Sequence, residues 1–265
     1  MIKRIKLFVN DNEKCKNARM IIENALKEKG FIIDDNDFDL GIAVGGDGSF
    51  LRMVKNTNFN SDKYYVGINS GTLGFLQEIK IDNVNEFIEE LRLGKYKIEE
   101  IGIEETTIYH NSTSSKFYSL NEIIVRDKNL KVVKLDIKIN GDLLEKYIGD
   151  GILVATSSGS TAHNLSYGGS IVYNTFTSLQ ITPMAPINSK VYKSLVNSVV
   201  VPNKLLISLI PENIKNNLIV TVDGENNFYD NVTNIETKID DKKIKCLRLS
   251  HYNFPEKINE KLLSD

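Results

Sequence analysis

The spacing of apolar positions changes partway along the chain. Ile5–Val9 reads as a strand. Ala18, Ile21, Ile22, Ala25 and Leu26 then fall at helical spacing, with Gly30 where a C-capping glycine would stand. Leu40–Val44 is a continuous apolar run that ends in glycines, as a buried parallel strand does, and Tyr64–Ile68 repeats the style. Phe87, Ile88 and Leu91 share one face of a helix predicted over Val84–Leu93. This alternation predicts a doubly wound α/β domain over residues 1–96. From Ile98 onward short β-rich runs dominate: 106–109, 117–125, 132–139, 152–155, 199–201, 205–210, 218–222, 234–239 and 244–249. Asn140-Gly141, Pro202-Asn203, Pro211 and Asp223-Gly224 punctuate them. They predict a mostly β, sandwich-like domain over 97–252, followed by a helix within 255–265 that packs back on the first domain.

Composition narrows the class without naming a chemistry. The 265 residues are 41% hydrophobic and 26% charged, which suits a globular protein, and the length allows one large domain or two modest ones. A net charge of −2 with dispersed Lys and Arg gives no stripe for nucleic acid or an anionic membrane. The two cysteines and three histidines have no metal-ligand spacing, so neither a disulfide framework nor a protein-built metal site is expected. The first ten residues are too short in apolar length for a signal peptide, and no run is long enough to span a bilayer. A cytoplasmic protein is expected.

The first chemical signal is Gly45-Gly46-Asp47-Gly48-Ser49, between a buried strand and a helix predicted from Phe50. Glycines at a helix N-terminus let backbone N–H groups approach an anion, and the helix dipole favours one. The spacing is neither a Walker A loop nor a dinucleotide GxGxxG. Asp47 would repel phosphate unless it has a task. It can accept a proton from an attacking hydroxyl, hold a divalent cation, or simply cap the helix.

Three further stretches carry polar groups in suggestive order. Asn69–Leu76 follows a predicted strand at the end where open sheets bind ligands. Asn121-Glu122 interrupts a β run, as a turn or edge pair would, or as a pair that hydrogen-bonds a ligand: Asn suits an adenine edge and a carboxylate suits ribose hydroxyls. The block Gly149–Gly169 reads as strand, small-residue turn and helix, with hydroxyls at Ser157, Ser158, Ser160 and Thr161 at the predicted helix start. A serine-rich loop with good caps would have the same composition.

The Gly45–Ser49 turn resembles the GGDG turn shared by NAD kinases, lipid kinases and phosphofructokinases, with Ser49 where Thr is commonest. Asn69–Leu76 is similar to the NxGxLGFL stretch of NAD kinases, and Asp150–Gly169 resembles their DG…TxxGSTAYxxSxGG signature, which the other two groups lack. Ile181–Pro186 resembles their TPxxPH loop and Val220–Gly224 their VDG turn. His163 stands where the family has Tyr, and Ser157 where it has Pro.

The resemblance implies transfer of a phosphoryl group from ATP, or in some relatives polyphosphate, to the 2′-hydroxyl of the adenosine ribose of NAD. It implies that Asp47 orients or deprotonates that hydroxyl, and that Gly46 and Gly48 leave room for phosphates. Asn121 and Glu122 would meet the adenosine, and Ser158, Thr161, Ala162, His163 and Ser166 would line its pocket. Asp150 would meet the nicotinamide side, supplied by a neighbouring subunit of a homodimer or homotetramer. Phe75 and Ala185 would wall the dinucleotide. Mg²⁺ is expected to arrive with the nucleotide. Arg52 and Arg126 are left without a role. A lipid kinase would share the GGDG turn but not the Gly159–Ala162 block. A dinucleotide sensor without catalysis would gain by losing the Asp47 charge.

Overall fold

The structure, a computed structural model, describes residues 2–69 and 74–264. Ser70, Gly71, Thr72 and Leu73 of the Asn69–Leu76 stretch lie outside the described residues. Two compact units divide the chain, Met1–Ile101 with Lys243–Asp265, and Gly102–Lys242.

The first unit begins β1 (Arg4–Val9), α1 (Glu13–Glu28), β2 (Ile32–Ile33), β3 (Leu40–Val44), α2 (Asp47–Asn56), β4 (Tyr64–Asn69), β5 (Ile79–Lys80) and α3 (Val84–Leu93). Strands β2, β1, β3 and β4 pair in parallel in that order. Asn12 caps α1 by accepting from Cys15 N at 2.9 Å, and Gly30, at φ +83°, turns the chain after it. Ile22 and Leu26 of α1 and Phe87 and Ile88 of α3 share one core with Ile5, Ile42, Val66 and Ile68. Phe50, Met53 and Val54 of α2 are buried apart from that core, and a Cβ on Gly41 of β3 would stand 3.0 Å from Met53 Sδ. Helices therefore lie on both faces of the parallel sheet, as the strand–helix alternation predicts.

The chain enters the second unit along β6 (Tyr96–His110), then forms β7 (Thr113–Ser119), β8 (Glu122–Asp127), β9 (Val133–Ile139), β10 (Asp142–Gly149) and β11 (Gly151–Thr156). A 3₁₀ turn at Ser158–Thr161 and the single-turn α4 (His163–Ser166) follow. Next come β12 (Ser178–Met184), β13 (Val199–Pro202), β14 (Ile207–Pro211), β15 (Asn217–Val222) and β16 (Glu225–Asp230). β17 (Val232–Leu249) leads back to the first unit, whose last element is α5 (Phe254–Leu262). One antiparallel sheet runs β13-β12-β11-β8-β15-β16, while β10, β9, β14 and β17 pair in a second. Ile123, Val125, Ile152, Val154, Leu179 and Val220 of the first pack with Leu135, Ile137, Ile207, Leu209 and Ile235 of the second, which makes the unit a sandwich.

Several elements differ from the sequence reading. The run 117–125 is two strands, because the backbone N–H groups of Leu120 and Asn121 leave the ladder for Asp223. The runs 234–239 and 244–249 are one strand, since Asp240–Lys243 holds no glycine, proline or asparagine to break it. The helix predicted after the serine-rich turn is only a 3₁₀ turn and one helical turn, interrupted at Ala162 (φ −94°, ψ −135°). Ser and Thr side chains there bond nearby backbone instead of sustaining a helix. Ile181–Met184 is strand, not loop, and the loop begins at Ala185, at φ +44°. β16 has no apolar alternation and exists by pairing along β15. No helix among the described residues is long and apolar enough to cross a membrane.

Candidate active site

In the first unit the chemistry gathers at the end of β3. Gly45 has φ +145°, and a Cβ there would stand 2.3 Å from Ser49 Oγ, so only glycine fits. Gly46 is the residue that caps α2, with no side-chain cap bond, and Asp47 is the first helical residue. The capping role open to Asp47 in the sequence is therefore not the one it plays. Its carboxylate turns toward the chain beyond β4, where Oδ2 accepts from Phe75 N at 2.9 Å and Oδ1 from Leu76 N at 3.0 Å. Gly74 passes so close that a Cβ would lie 1.9 Å from Asp47 Oδ1. Asp47 remains half-buried, and each carboxylate oxygen keeps a lone pair for a further donor. A Cβ on Gly46 would meet nothing within 4 Å, and one on Gly48 only Arg52 Nη1 at 3.7 Å. That open space beside a carboxylate and a helix N-terminus can admit a phosphate chain. Phe75 is half-buried beside it.

In the second unit the Asn121-Glu122 pair is built by a hairpin turn elsewhere in the chain. Asp223, at φ +45°, and Gly224, at φ +86°, connect β15 to β16. The Asp223 carboxylate accepts from Leu120 N at 2.8 Å, Asn121 N at 2.8 Å and Glu122 N at 3.2 Å. From the other side Thr156 N donates to Asn121 O at 2.8 Å, and Thr156 Oγ1 to Leu120 O at 2.6 Å. Gly159 must be glycine, because a Cβ would stand 2.0 Å from Asn121 O. The spacing of Thr156, Gly159 and Asn121 is thus a packing constraint, and it brings the 158–166 segment against the Asn-Glu pair.

Glu122 is buried. Its Oε1 lies 3.1 Å from His163 Nδ1, and its Oε2 has no partner among the described residues. Burial first, and then the negative charges of Asp223 and Glu104, push its carboxyl up to about 8. Near neutral pH it is therefore a protonated group that can donate a hydrogen bond, which differs from the carboxylate expected from sequence. Glu104 of β6 is wholly buried nearby, bonded by Thr237 Oγ1 and Ser119 Oγ at 2.7 Å each, and burial pushes it up to about 8 as well.

The hydroxyls of the serine-rich turn are not all free donors. Ser157 bonds Phe176 O and Ser178, and Ser160 donates to Val172 O and accepts from Val172 N. Thr161 reaches Ser158 O at 3.4 Å, and Ser158 Oγ has no side-chain bond among the described residues. Thr161 and Ala162 are half-exposed, and His163 and Ser166 exposed. Asn164, unremarked in the sequence, is fully buried and ties the segment to Ser160 O, Ser170 O and Thr182.

Asp150 and Ala185 lie at the opposite end of β11 from Ser158, about 20 Å along the strand, where Asp150 N donates to Met184 O at 3.0 Å, but they share a cavity with Tyr167, the residue after Ser166. Buried Tyr147 supports that turn, with its hydroxyl 2.6 Å from Gly151 O and 2.7 Å from Met184 O. Asp150 and Ala185 line a cavity of about 300 Å³ with Arg126, Leu130, Tyr167 and Met184.

Comparison with known proteins decides the family. Residues 6–96 match the family model of the ATP-NAD kinase N-terminal domain, and residues 120–239 that of the ATP-NAD kinase C-terminal domain. This chain belongs to the NAD kinase family. It is 42% identical over 254 residues to the NAD kinase of Finegoldia magna, which covers 92% of each chain. It is 32% identical to NAD kinase 1 of Halalkalibacterium halodurans, again over 92% of each. Two solved structures share the fold of this chain. Yeast NADH kinase complexed with NADH matches with a TM-score of 0.86 at 20% identity, over 100% of this chain and 89% of that one. An NAD kinase from Archaeoglobus fulgidus in complex with ATP matches with a TM-score of 0.75 at 21% identity, over 98% of each.

Sequence reasoning missed Asp223 as the clamp on Asn121-Glu122, Glu104 as a buried neighbour, and Gly74 as the close approach to Asp47. The VDG motif was the available signal for the first, since an aspartate before glycine in a hairpin turn has a side chain free to bind backbone. Nothing local to Glu104 distinguishes it from other strand glutamates. Among the described residues no group of three or more His, Cys, Asp or Glu is placed to hold a metal ion.

Proposed function

We propose that this NAD kinase family member transfers the γ-phosphoryl group of ATP to the 2′-hydroxyl of the adenosine ribose of NAD, giving NADP and ADP. The observation that carries the reading is Asp47: a half-buried carboxylate, aimed by two backbone amides, beside glycines with open space. The O2′–P bond forms as the bond from phosphorus to the β,γ-bridging oxygen breaks. The hydroxyl proton passes to Asp47, and ADP leaves with the bridging oxygen. A carboxylate with no further task would only repel phosphate, so its place in the turn makes sense when a hydroxyl is delivered to it.

In the second unit we assign the adenosine to Asn121, Glu122, Ser158, Thr161, Ala162, His163 and Ser166. Protonated Glu122 would donate to an acceptor of the nucleoside while His163 holds its other oxygen. Asp150, at the far end of β11 from Ser158, would serve the nicotinamide side of a dinucleotide held by a neighbouring subunit, which makes a homo-oligomer the working form, and Phe75 and Ala185 would wall the dinucleotide. Mg²⁺ would come with ATP, on phosphate oxygens and water, where it offsets the charge of the transferred group. The residues present suit that arrangement, since Asp47 is the acidic side chain of the turn and, among the described residues, no group of three or more possible metal ligands accompanies it.

The test is incubation with NAD, ATP and Mg²⁺, with NADP read by an NADP-specific dehydrogenase, beside Asp47→Asn. The parent should form NADP and the variant should lose at least a hundredfold in kcat. A folded parent that forms no NADP, with either ATP or polyphosphate, would refute the activity. An Asp47→Asn variant of undiminished kcat would refute the role of Asp47.

A further inference from the structure

Lys257 of α5 is 7% exposed, and a lysine is rarely so buried unless its charge is met. Its ammonium donates to Gln77 O at 2.8 Å, stands 3.6 Å from Glu78 Oε2 and 5.3 Å from the centre of the Tyr252 ring. Glu78 is shared with buried Arg248 at 3.3 Å, which also pairs with Glu99 at 2.7 Å. Burial, with the charge of Arg248, brings Lys257 down to about 8, against the opposing influence of Glu78 and Asp47. Holding an ammonium in such a place is costly, and its shortest contact is to the carbonyl of a loop residue.

That loop residue leads back to the catalytic turn. Gln77 is wholly buried, and its Nε2 donates to Gly46 O at 2.8 Å. The two residues before it, Phe75 and Leu76, give their amides to Asp47. Segment 75–77 therefore meets the glycine turn by three hydrogen bonds and α5 by a fourth. There is little slack: a Cβ on Gly67 would stand 2.4 Å from Gln77 Oε1, as one on Gly74 would collide with Asp47.

We propose that Lys257 and Gln77 form a positioning relay, in which the C-terminal helix fixes segment 75–77 and thereby aims the Asp47 carboxylate. The proposal rests on the kinase reading given above. Neither residue need touch a substrate. A relay of this kind acts on the orientation of a group used in the chemical step, so its loss should appear in kcat and leave substrate binding nearly intact.

The experiment compares the full-length parent with Lys257→Met, Gln77→Met and Lys257→Arg. Both methionine variants should lose about tenfold or more in kcat with KM for NAD and ATP within about threefold, and Lys257→Arg, which keeps a donor for Gln77 O, should recover most of the loss. A folded Lys257→Met variant with kcat within twofold of the parent, or with its loss confined to KM, would overturn the relay. Should Lys257→Met not fold, Gln77→Met, which leaves the lysine and its ion pair in place, decides by the same criteria. Hydrogen exchange at the Phe75 and Leu76 amides gives a readout independent of turnover. Exchange at least about tenfold faster in the methionine variants supports the relay even where the parent forms no NADP, and unchanged exchange refutes it.

Discussion

Replacing Glu104 by glutamine should remove a pH-dependent loss of stability from the protein. Glu104 is 0% exposed and, among the described residues, is bonded by the hydroxyls of Thr237 and Ser119. Its carboxyl is raised from 4.5 to about 8, chiefly by burial, with Asp223 adding to the shift. For an acid whose folded pKa is raised, the folded state favours the neutral form. The contribution is fully present below 4.5 and is lost as pH rises toward the folded value of about 8. Within that window each pH unit costs about 1.4 kcal/mol, so the parent should lose about 3 kcal/mol from this group between pH 5 and 7. Glutamine carries no titrating proton and nearly the same volume. Its oxygen can serve Thr237 and its amide can donate to Ser119. At pH 5 the variant should be equal to the parent or slightly less stable, and by pH 7 it should be the more stable by about 2–3 kcal/mol. Part of the parent's slope will remain, because Glu122 titrates in the same window for similar reasons. The assay is urea unfolding at pH 5, 6, 7 and 8, followed by far-ultraviolet circular dichroism since the chain has no tryptophan. A stability difference between variant and parent that stays flat across this range would refute the reasoning.

Two further outcomes follow from the second unit. Because Glu122 is protonated below about 8, Glu122→Gln should keep kcat/KM for NAD at pH 7 within about threefold, while Glu122→Ala loses tenfold or more; a large loss with glutamine would show that the ionised form is needed. Asp223→Ala should strip three amides of their acceptor, lower stability by about 3 kcal/mol and raise KM for NAD at least tenfold, measured by denaturation and NADP formation. A stable variant with unchanged KM would refute the clamp.

Much of the candidate site is legible in the sequence because its signals are local. A glycine with positive φ, a strand ending in glycines and a run of small hydroxyl residues each leave a mark within a few positions, as at Gly45–Ser49 and Ser157–Thr161. What local pattern misjudged was the use of those groups. Ser157 and Ser160 are spent on backbone at Phe176 and Val172, and Asp47 does not cap its helix. The strand Ser178–Met184 is missed by local pattern, with Ile181–Met184 reading as part of a loop, because its polar alternate residues are buried: Gln180 bonds Ser170, and Thr182 bonds Asn164.

The sequence by itself determined the two-part architecture, the glycine turn with its aspartate, and the order of motifs that marks an NAD kinase. Period and turn chemistry encode the first two directly, and the third is a resemblance carried by the motifs at residues 45–49, 69–76 and 150–169. The tertiary structure alone decided what meets what across long separations. Asp223 clamps Leu120 from 103 residues away, and Lys257 reaches Gln77 from 180 residues away. It also decided protonation. Glu122 and Glu104 read as ordinary carboxylates until burial beside Asp223 makes their neutral form the stable one, because an ionised carboxyl withdrawn from water and set near another negative charge is disfavoured against its protonated form.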